Sequence, residues 1–308
     1  MNPYLSLLIG FVCAGIGGEL FVRGLVGLAR WARVSAGIIA TTVAAFATSS
    51  PELSVAVGAA LSGRPEISLG DALGSNVVNV ALILAVALCM SAISCPRASV
   101  RRDFPVALLV PLAVGALGLD GQISRADGIA LLVFFLVWLI LVINAARQER
   151  SAAGAVLGEA IRWRMFATIP VGLAFLVGSG HFIVLGARDI AVMFGLPEFV
   201  IGATIVAVGT SMPELATTVI SKLKGHDEIG LGTVLGSNVF NGLFIVGAAA
   251  VICPIHVELK EVRWALGFGV LSTLLTFPRQ DGLIPRWRGG VLLGLYAAFV
   301  ILVVWGQK

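Results

Sequence analysis

Apolar residues along this chain come in long runs, not in the alternation of a half-buried strand or the single stripe of a water-facing helix. The runs fall at roughly 4–29, 36–61, 70–93, 104–119, 124–146, 165–187, 198–221, 229–252, 264–277 and 288–305. Most approach the ~20 residues that a helix needs to cross a bilayer. The fourth and ninth are the shortest, and the fourth contains Pro105 and Pro111. The first run has no basic leader ahead of it, so it reads as a span and not as a cleaved signal peptide. The longest polar connector, 147–163, separates five runs from five. The pattern predicts an all-α polytopic membrane protein with ten transmembrane helices. Its first five-helix unit is 1–146, its linker 147–163 and its second five-helix unit 164–308.

Composition agrees and narrows the choice. Of 308 residues, 58% are hydrophobic and only 12% charged. A water-soluble globule of this size needs more polar surface than that, and a disordered chain far more. The expected surroundings are membrane lipid, with the chain an integral multi-pass protein of the cell (inner) membrane. A net charge of +4 gives no reason to expect nucleic acid. The placement of the charges is more informative. With the N-terminus outside, the cytoplasmic connectors hold fourteen Lys and Arg, including Arg97, Arg101, Arg102 and the four arginines of 147–164; the outer connectors and the C-terminus hold six. This predicts an N-out, C-out chain with a cytoplasmic linker. Cys13, Cys89, Cys95 and Cys253 show no CxxC pattern and read as small buried hydrophobes, not as a disulfide framework or zinc site.

The chain also contains itself twice. Segment 38–80 aligns without a gap to 200–242, at an offset of 162 residues, with 21 identities in 43 positions. ATSSPEL (47–53) matches GTSMPEL (209–215), and GDALGSNVVN (70–79) matches GTVLGSNVFN (232–241). Gly18 and Gly24 in the first run align with Gly180 and Gly186 in the sixth. Five spans per copy is an odd number, so the second copy enters the membrane upside down. Inverted repeats of this kind build transporters, with the site near the midplane where the halves meet.

The repeated residues carry the chemistry. Pro51 and Pro213 fall inside apolar runs, where the missing amide and the ring clash should break each helix. On a helical period Ala45, Thr48, Ser49 and Glu52 share one face, as do Ala207, Thr210, Ser211 and Glu214. A plainer reading makes Ser50 a helix cap, with Pro51 and Glu52 in the first turn. Yet a carboxylate at the bilayer centre costs about 2.5–3.5 kcal/mol even on insertion scales, and this chain places two at equivalent points. Ion binding is the better reading. Asp71, Ser75 and Asn79 follow at i, i+4, i+8, as do Thr233, Ser237 and Asn241. Ser75, Asn79, Ser237 and Asn241 read as further ligands; Asn76 and Asn238 read as helix–helix glue beside the small pairs Gly70/Gly74 and Gly232/Gly236. Carboxylate, amide, hydroxyl and carbonyl oxygens select Ca2+, Mg2+, Mn2+ or Na+ over zinc or copper.

At these residues the chain resembles the calcium/cation antiporter superfamily and, within it, the short prokaryotic sodium/calcium exchangers. The likeness runs over essentially the whole chain and rests on the paired GTSxPEL-like and GSNxxN-like motifs. It implies a secondary active antiporter with Ca2+ and Na+ as transported substrates, no cofactor and no enzyme activity. It implies ten helices in two inverted halves, with the broken second and seventh helices and the third and eighth surrounding the ions. Carried over, Glu52 and Glu214 become the central carboxylates. Thr48, Ser49, Thr210, Ser211, Ser75 and Ser237 supply hydroxyl or backbone oxygens, Ala45 and Ala207 offer carbonyls at flanking Na+ sites, and Asn79 and Asn241 complete the centre. Asn241 departs from relatives that carry Asp there, leaving two acids and not three.

The alternative within transport is a H+/Ca2+ or Na+/Mn2+ antiporter. Outside it, an intramembrane hydrolase built on His181 is the competing class, and a channel the fourth. Glu19 and Arg23, at i and i+4, should pair. Asp71 is expected either to cap its helix or to draw cations to the outer mouth. Lys222, Lys224, His226, Asp227 and Glu228 read as a solvated cytoplasmic loop. A monomer is sufficient for all of this.

Overall fold

The computed structural model describes residues 2–63, 65–152, 163–193 and 207–305, and nearly all of them are helical. Helix α1 is Pro3–Ala32, opened by an Asn2 side chain that accepts the Tyr4 N–H at 2.9 Å. Helices α2 (Ala36–Thr48) and α3 (Ser50–Leu61) are two arms of one span, bent by 44°. Then follow α4 (Pro65–Met90), α5 (Arg97–Asp120) and α6 (Arg125–Ala152). The second half has α7 (Trp163–Met193), α8 (Ala207–Thr210), α9 (Met212–Leu223), α10 (Asp227–Ile252), α11 (Leu259–Leu275) and α12 (Trp287–Trp305).

Every apolar run of the sequence meets a helix, although 198–206 of the seventh lies outside the described residues. Among the described residues, five helices are each long and apolar enough to cross a membrane, and the bent α2–α3 pair makes six. Boundaries moved where polar residues disguise a helix. The fourth run starts at 104 in the sequence, but α5 begins at Arg97, taking in the polar turn RASVRRD and both internal prolines. Helix α6 continues to Ala152, into the expected linker, whose residues 153–162 lie outside the described ones; so do Arg64 and Lys308 of the charge count.

The burial pattern is that of a protein dissolved in lipid. In α6 the most apolar stretch has mean hydropathy 2.9, yet only 22% of it is buried within the protein, and Leu136, Ile140 and Leu141 are exposed. The interior instead holds Glu52, Glu214, Asn79 and Asn241. Helices α4 and α10, whose most apolar stretches are 72% and 78% buried, form the centre. Such a distribution would be unstable in water and is natural in a bilayer. The four cysteines are free, but of the four expected to be buried only Cys95 is, and Cys13, Cys89 and Cys253 are half-buried.

The repeat is visible in how the two halves interlock. After α4, strand β1 (Ile93–Ser94) pairs antiparallel with β4 (Leu283–Ile284), and after α5, β2 (Gln122–Ile123) pairs with β3 (Ile255–His256). The offset of 162 residues turns β1 into β3, and an offset one residue shorter turns β2 into β4. Each half thus lends one strand to each pair. Helices α1 and α7, also symmetry partners, pack along each other. At Gly17 a Cβ would lie 2.9 Å from the Gly172 carbonyl oxygen, so the crossing requires glycine. The same holds for α10 against α2, where a Cβ on Gly232 would lie 2.9 Å from the Gly37 carbonyl and one on Gly236 would collide with the Thr41 carbonyl. That confirms the close-approach reading for this glycine pair.

Candidate cation-binding site

Proline creates the two breaks. Pro51 and Pro213 have no N–H for the turn before them, and the backbone leaves helical geometry at Ser49 (φ −85°, ψ 13°) and Ser211 (φ −84°, ψ 9°). Ser50 is not the cap. It sits inside α3 and bonds the Phe46 carbonyl at 3.1 Å, while Ser49 holds the capping position without making a capping bond. The Ser49 hydroxyl crosses to the other copy and meets Glu214 Oε1 at 3.1 Å. Ser211 does the reverse, its hydroxyl lying 3.5 Å from Glu52 Oε1. Each break therefore presents its serine to the acid of the opposite copy.

Helices α4 and α10 close the arrangement. Ser237 donates to Glu214 Oε1 at 3.2 Å. Asn76 and Asn238 clamp the helices together, each side-chain amide donating to the other's backbone carbonyl at 3.1 and 3.2 Å, as glue should. Asn79 Nδ2 donates to Asn238 Oδ1 at 3.0 Å, so Asn238 also orients a candidate ligand, a role the spacing did not reveal. Asn79 and Asn241 lie in wider π-helical turns, Val78–Leu84 and Phe240–Ile245. Such turns rotate side chains off the ordinary helical face and recur at functional sites. One turn upstream of the acids, Thr48 donates to the Ala44 carbonyl at 3.0 Å and Thr210 to that of Ala207 at 3.1 Å. The Ala45 and Ala207 carbonyls also accept the Ser49 and Ser211 N–H groups, at 3.0 and 3.3 Å. A hydroxyl that gives its proton backwards along the helix keeps its lone pairs for another partner.

Glu52 and Glu214 are buried, at 1% and 0% exposure. They interact electrostatically with each other, and Asp71 acts on both. Five oxygens of the twelve candidate residues are buried without a hydrogen-bond partner among the described residues: Glu52 Oε2, Glu214 Oε2, Ser75 Oγ, Asn79 Oδ1 and Asn241 Oδ1. Interiors rarely tolerate this. Two neighbouring carboxylates and a set of buried neutral oxygens without protein partners suit a cation bound by hard donors.

Other sequence readings met mixed outcomes. Asp71 cannot cap α4, which begins at Pro65; its Oδ2 is buried without a hydrogen-bond partner among the described residues. Glu19 pairs with Arg23 as expected, but Lys224 joins them, 2.7 Å from the same Glu19 Oε1. Lys222 binds Asp227 at 2.9 Å and the Ala92 carbonyl at 2.6 Å, so this loop is tied down and not merely solvated. No signal in the local sequence could show that, since Glu19 and Ala92 are remote in the chain. His181 is exposed, with its ring edge-on to Phe182.

Comparison with known proteins gives a consistent match. The profile of the sodium/calcium exchanger protein family matches residues 2–144 and 165–305. The inner membrane protein YrbG of Escherichia coli is 30% identical over 97% of this chain and 96% of its own. The sodium/calcium exchanger MaX1 of Methanosarcina acetivorans is 28% identical over 97% of this chain and 98% of its own. The solved structure of the sodium/calcium exchanger from Methanococcus jannaschii superimposes with a TM-score of 0.82, at 26% identity, over 97% of each chain.

Proposed function

The chain belongs to the sodium/calcium exchanger protein family, and from that premise we propose that it is a secondary active antiporter exchanging Na+ for Ca2+ at the site between its two copies. It is an integral multi-pass membrane protein and a transporter, not an enzyme. The observation that carries the reading is the crosswise serine–carboxylate exchange, Ser49 to Glu214 and Ser211 to Glu52. Neither copy owns a complete site, so an ion held there engages both halves at once.

The substrate ions are Ca2+ and Na+. Glu52 and Glu214 neutralise one Ca2+ or two Na+. Ser75, Ser237, Asn79 and Asn241 fill the remaining coordination, and Ca2+ accepts six to eight oxygens in flexible geometry. Thr48, Ser49, Thr210, Ser211 and the Ala45 and Ala207 carbonyls serve the flanking Na+ positions. Emptying the site would leave two like charges together in low dielectric, at considerable cost. The protein therefore changes its open side only with the charge compensated, and this couples one ion to the other in alternating access.

Ten spans with both termini outside fit this reading. The Lys and Arg distribution supports it. The strand pairs β1–β4 and β2–β3 agree, because ten crossings put the partners of each pair on one face. Units 1–146 and 164–308, with repeat motifs 38–80 and 200–242, are then the two inverted halves.

The test is flux. In proteoliposomes an imposed Na+ gradient should drive uptake of radiolabelled Ca2+, and Glu52→Gln or Glu214→Gln should abolish it. Uptake that follows a pH gradient and ignores Na+ would replace this reading with H+/Ca2+ exchange.

A further inference from the structure

Past Glu214, helix α9 continues with Thr217, Thr218 and Ser221. At three, four and seven residues on, these lie on the Glu214 face of the helix, with neighbouring Cβ atoms about 5–6 Å apart. The opposite face belongs to α1: a Cβ on Gly18 would touch Ile220 and the Ala216 carbonyl. Thr218 and Ser221 instead meet α10 at Gly230. Exposure is 0% at Thr217 and Ser221 and 1% at Thr218. Ser221 gives its proton to the Thr218 carbonyl and Thr233, on α10, gives its own to Ile229, both at 2.9 Å, so their lone pairs stay available. Thr217 Oγ1 and Thr218 Oγ1 have no hydrogen-bond partner among the described residues.

Two buried hydroxyls without partners cost stability, and valine would fill the same shape without that cost. The first copy has the apolar Val55, exposed, and Ala56, buried, at the equivalent positions. The second copy keeps the hydroxyls beside an acid that takes part in ion binding. Neutral hydroxyl oxygens compensate little charge, which suits a monovalent ion; Ca2+ needs carboxylates as well. We propose that Thr217 and Thr218, with Ser221 and Thr233, form an accessory Na+ station on the α9–α10 side of the acid pair, one turn beyond Glu214. The station rests on the Na+/Ca2+ reading and makes the two approaches to the central site chemically different.

The experiment compares wild type, a Thr217→Val/Thr218→Val double variant and a Thr217→Ser/Thr218→Ser double variant in proteoliposomes. The valine variant should raise the half-saturating Na+ concentration about fivefold or more, while the KM for Ca2+ moves less than about twofold. Serine should restore the wild-type Na+ dependence. The valine variant should melt at or above the wild-type temperature, since it removes two unpartnered hydroxyls. Should the double variant fail to fold, each single valine variant is measured instead. An unchanged Na+ dependence beside normal wild-type flux would overturn the station alone. Equal losses in Na+ and Ca2+ affinity would also overturn it, making the hydroxyls a packing feature. Wild-type vesicles with no Na+-driven Ca2+ flux would overturn the underlying reading and the station with it.

Discussion

Helices α3 and α9 begin alike and then part. Both follow a serine break with nearly the same backbone angles, place proline second and carry the acid in the first turn. Each acid receives a serine hydroxyl from the opposite copy. One turn later α3 has Val55, Ala56 and Ala59 where α9 has Thr217, Thr218 and Ser221. Farther out, Ser62 turns back to its own helix at the Gly58 carbonyl, while its counterpart Lys224 reaches across to Glu19 on α1. Asp71 stands where the second copy has Thr233. Symmetry is kept where each copy's serine meets the acid of the other copy. It is relaxed one turn farther out, where those serine–acid contacts end.

The strongest way to break this comparison is at the acids. Glu52→Gln and Glu214→Gln should each lower Na+-driven Ca2+ uptake on the order of 100-fold or more, since an incompletely neutralised ion in low dielectric costs several kcal/mol. If one variant kept wild-type uptake, the two copies would not share the substrate. Next comes the crossing that brings α10 against α2. Gly236→Val drives a side chain into the Thr41 carbonyl and should cost about 1–3 kcal/mol, read as a lower melting temperature in detergent.

The hydroxyls then sharpen the comparison. Ser49→Ala removes a 3.1 Å bond to Glu214, whereas Ser211→Ala removes a 3.5 Å contact to Glu52. We expect about a tenfold rise in the KM for Ca2+ from the first and about threefold from the second, given the strength of hydrogen bonds to charged groups. Equal effects would mean that the bound ion makes the two breaks equivalent. The smallest effect belongs to the peripheral tie. Lys224→Ala loses a part-exposed ion pair to Glu19 and should shift stability by less than about 1 kcal/mol, and less again in high salt. A larger loss in a thermal melt would mark that tie as a structural joint between α1 and α9.

Much of this was legible along the chain. Apolar runs marked the helices, and prolines inside two of them marked the breaks, because a missing amide acts locally. The constant offset marked the repeat, and Glu52 and Glu214 stood out because charge inside an apolar run is costly. The start of α5 was not legible, because its polar first turn resembles a connector. The π-helical turns around Asn79 and Asn241 were not legible either, since no local preference announces them and packing alone holds them.

Alone, the chain's order of residues determined the solvent, the helical breaks, the duplication and which side chains had to be sheltered, since each follows from polarity and backbone chemistry over a few residues. Only the tertiary structure decided that Ser49 serves Glu214 and not its own helix, that Asn238 orients Asn79, and that Lys224 holds Glu19. Those partners are more than a hundred residues apart, and their pairing depends on the inverted docking of two copies, which no local energy term specifies.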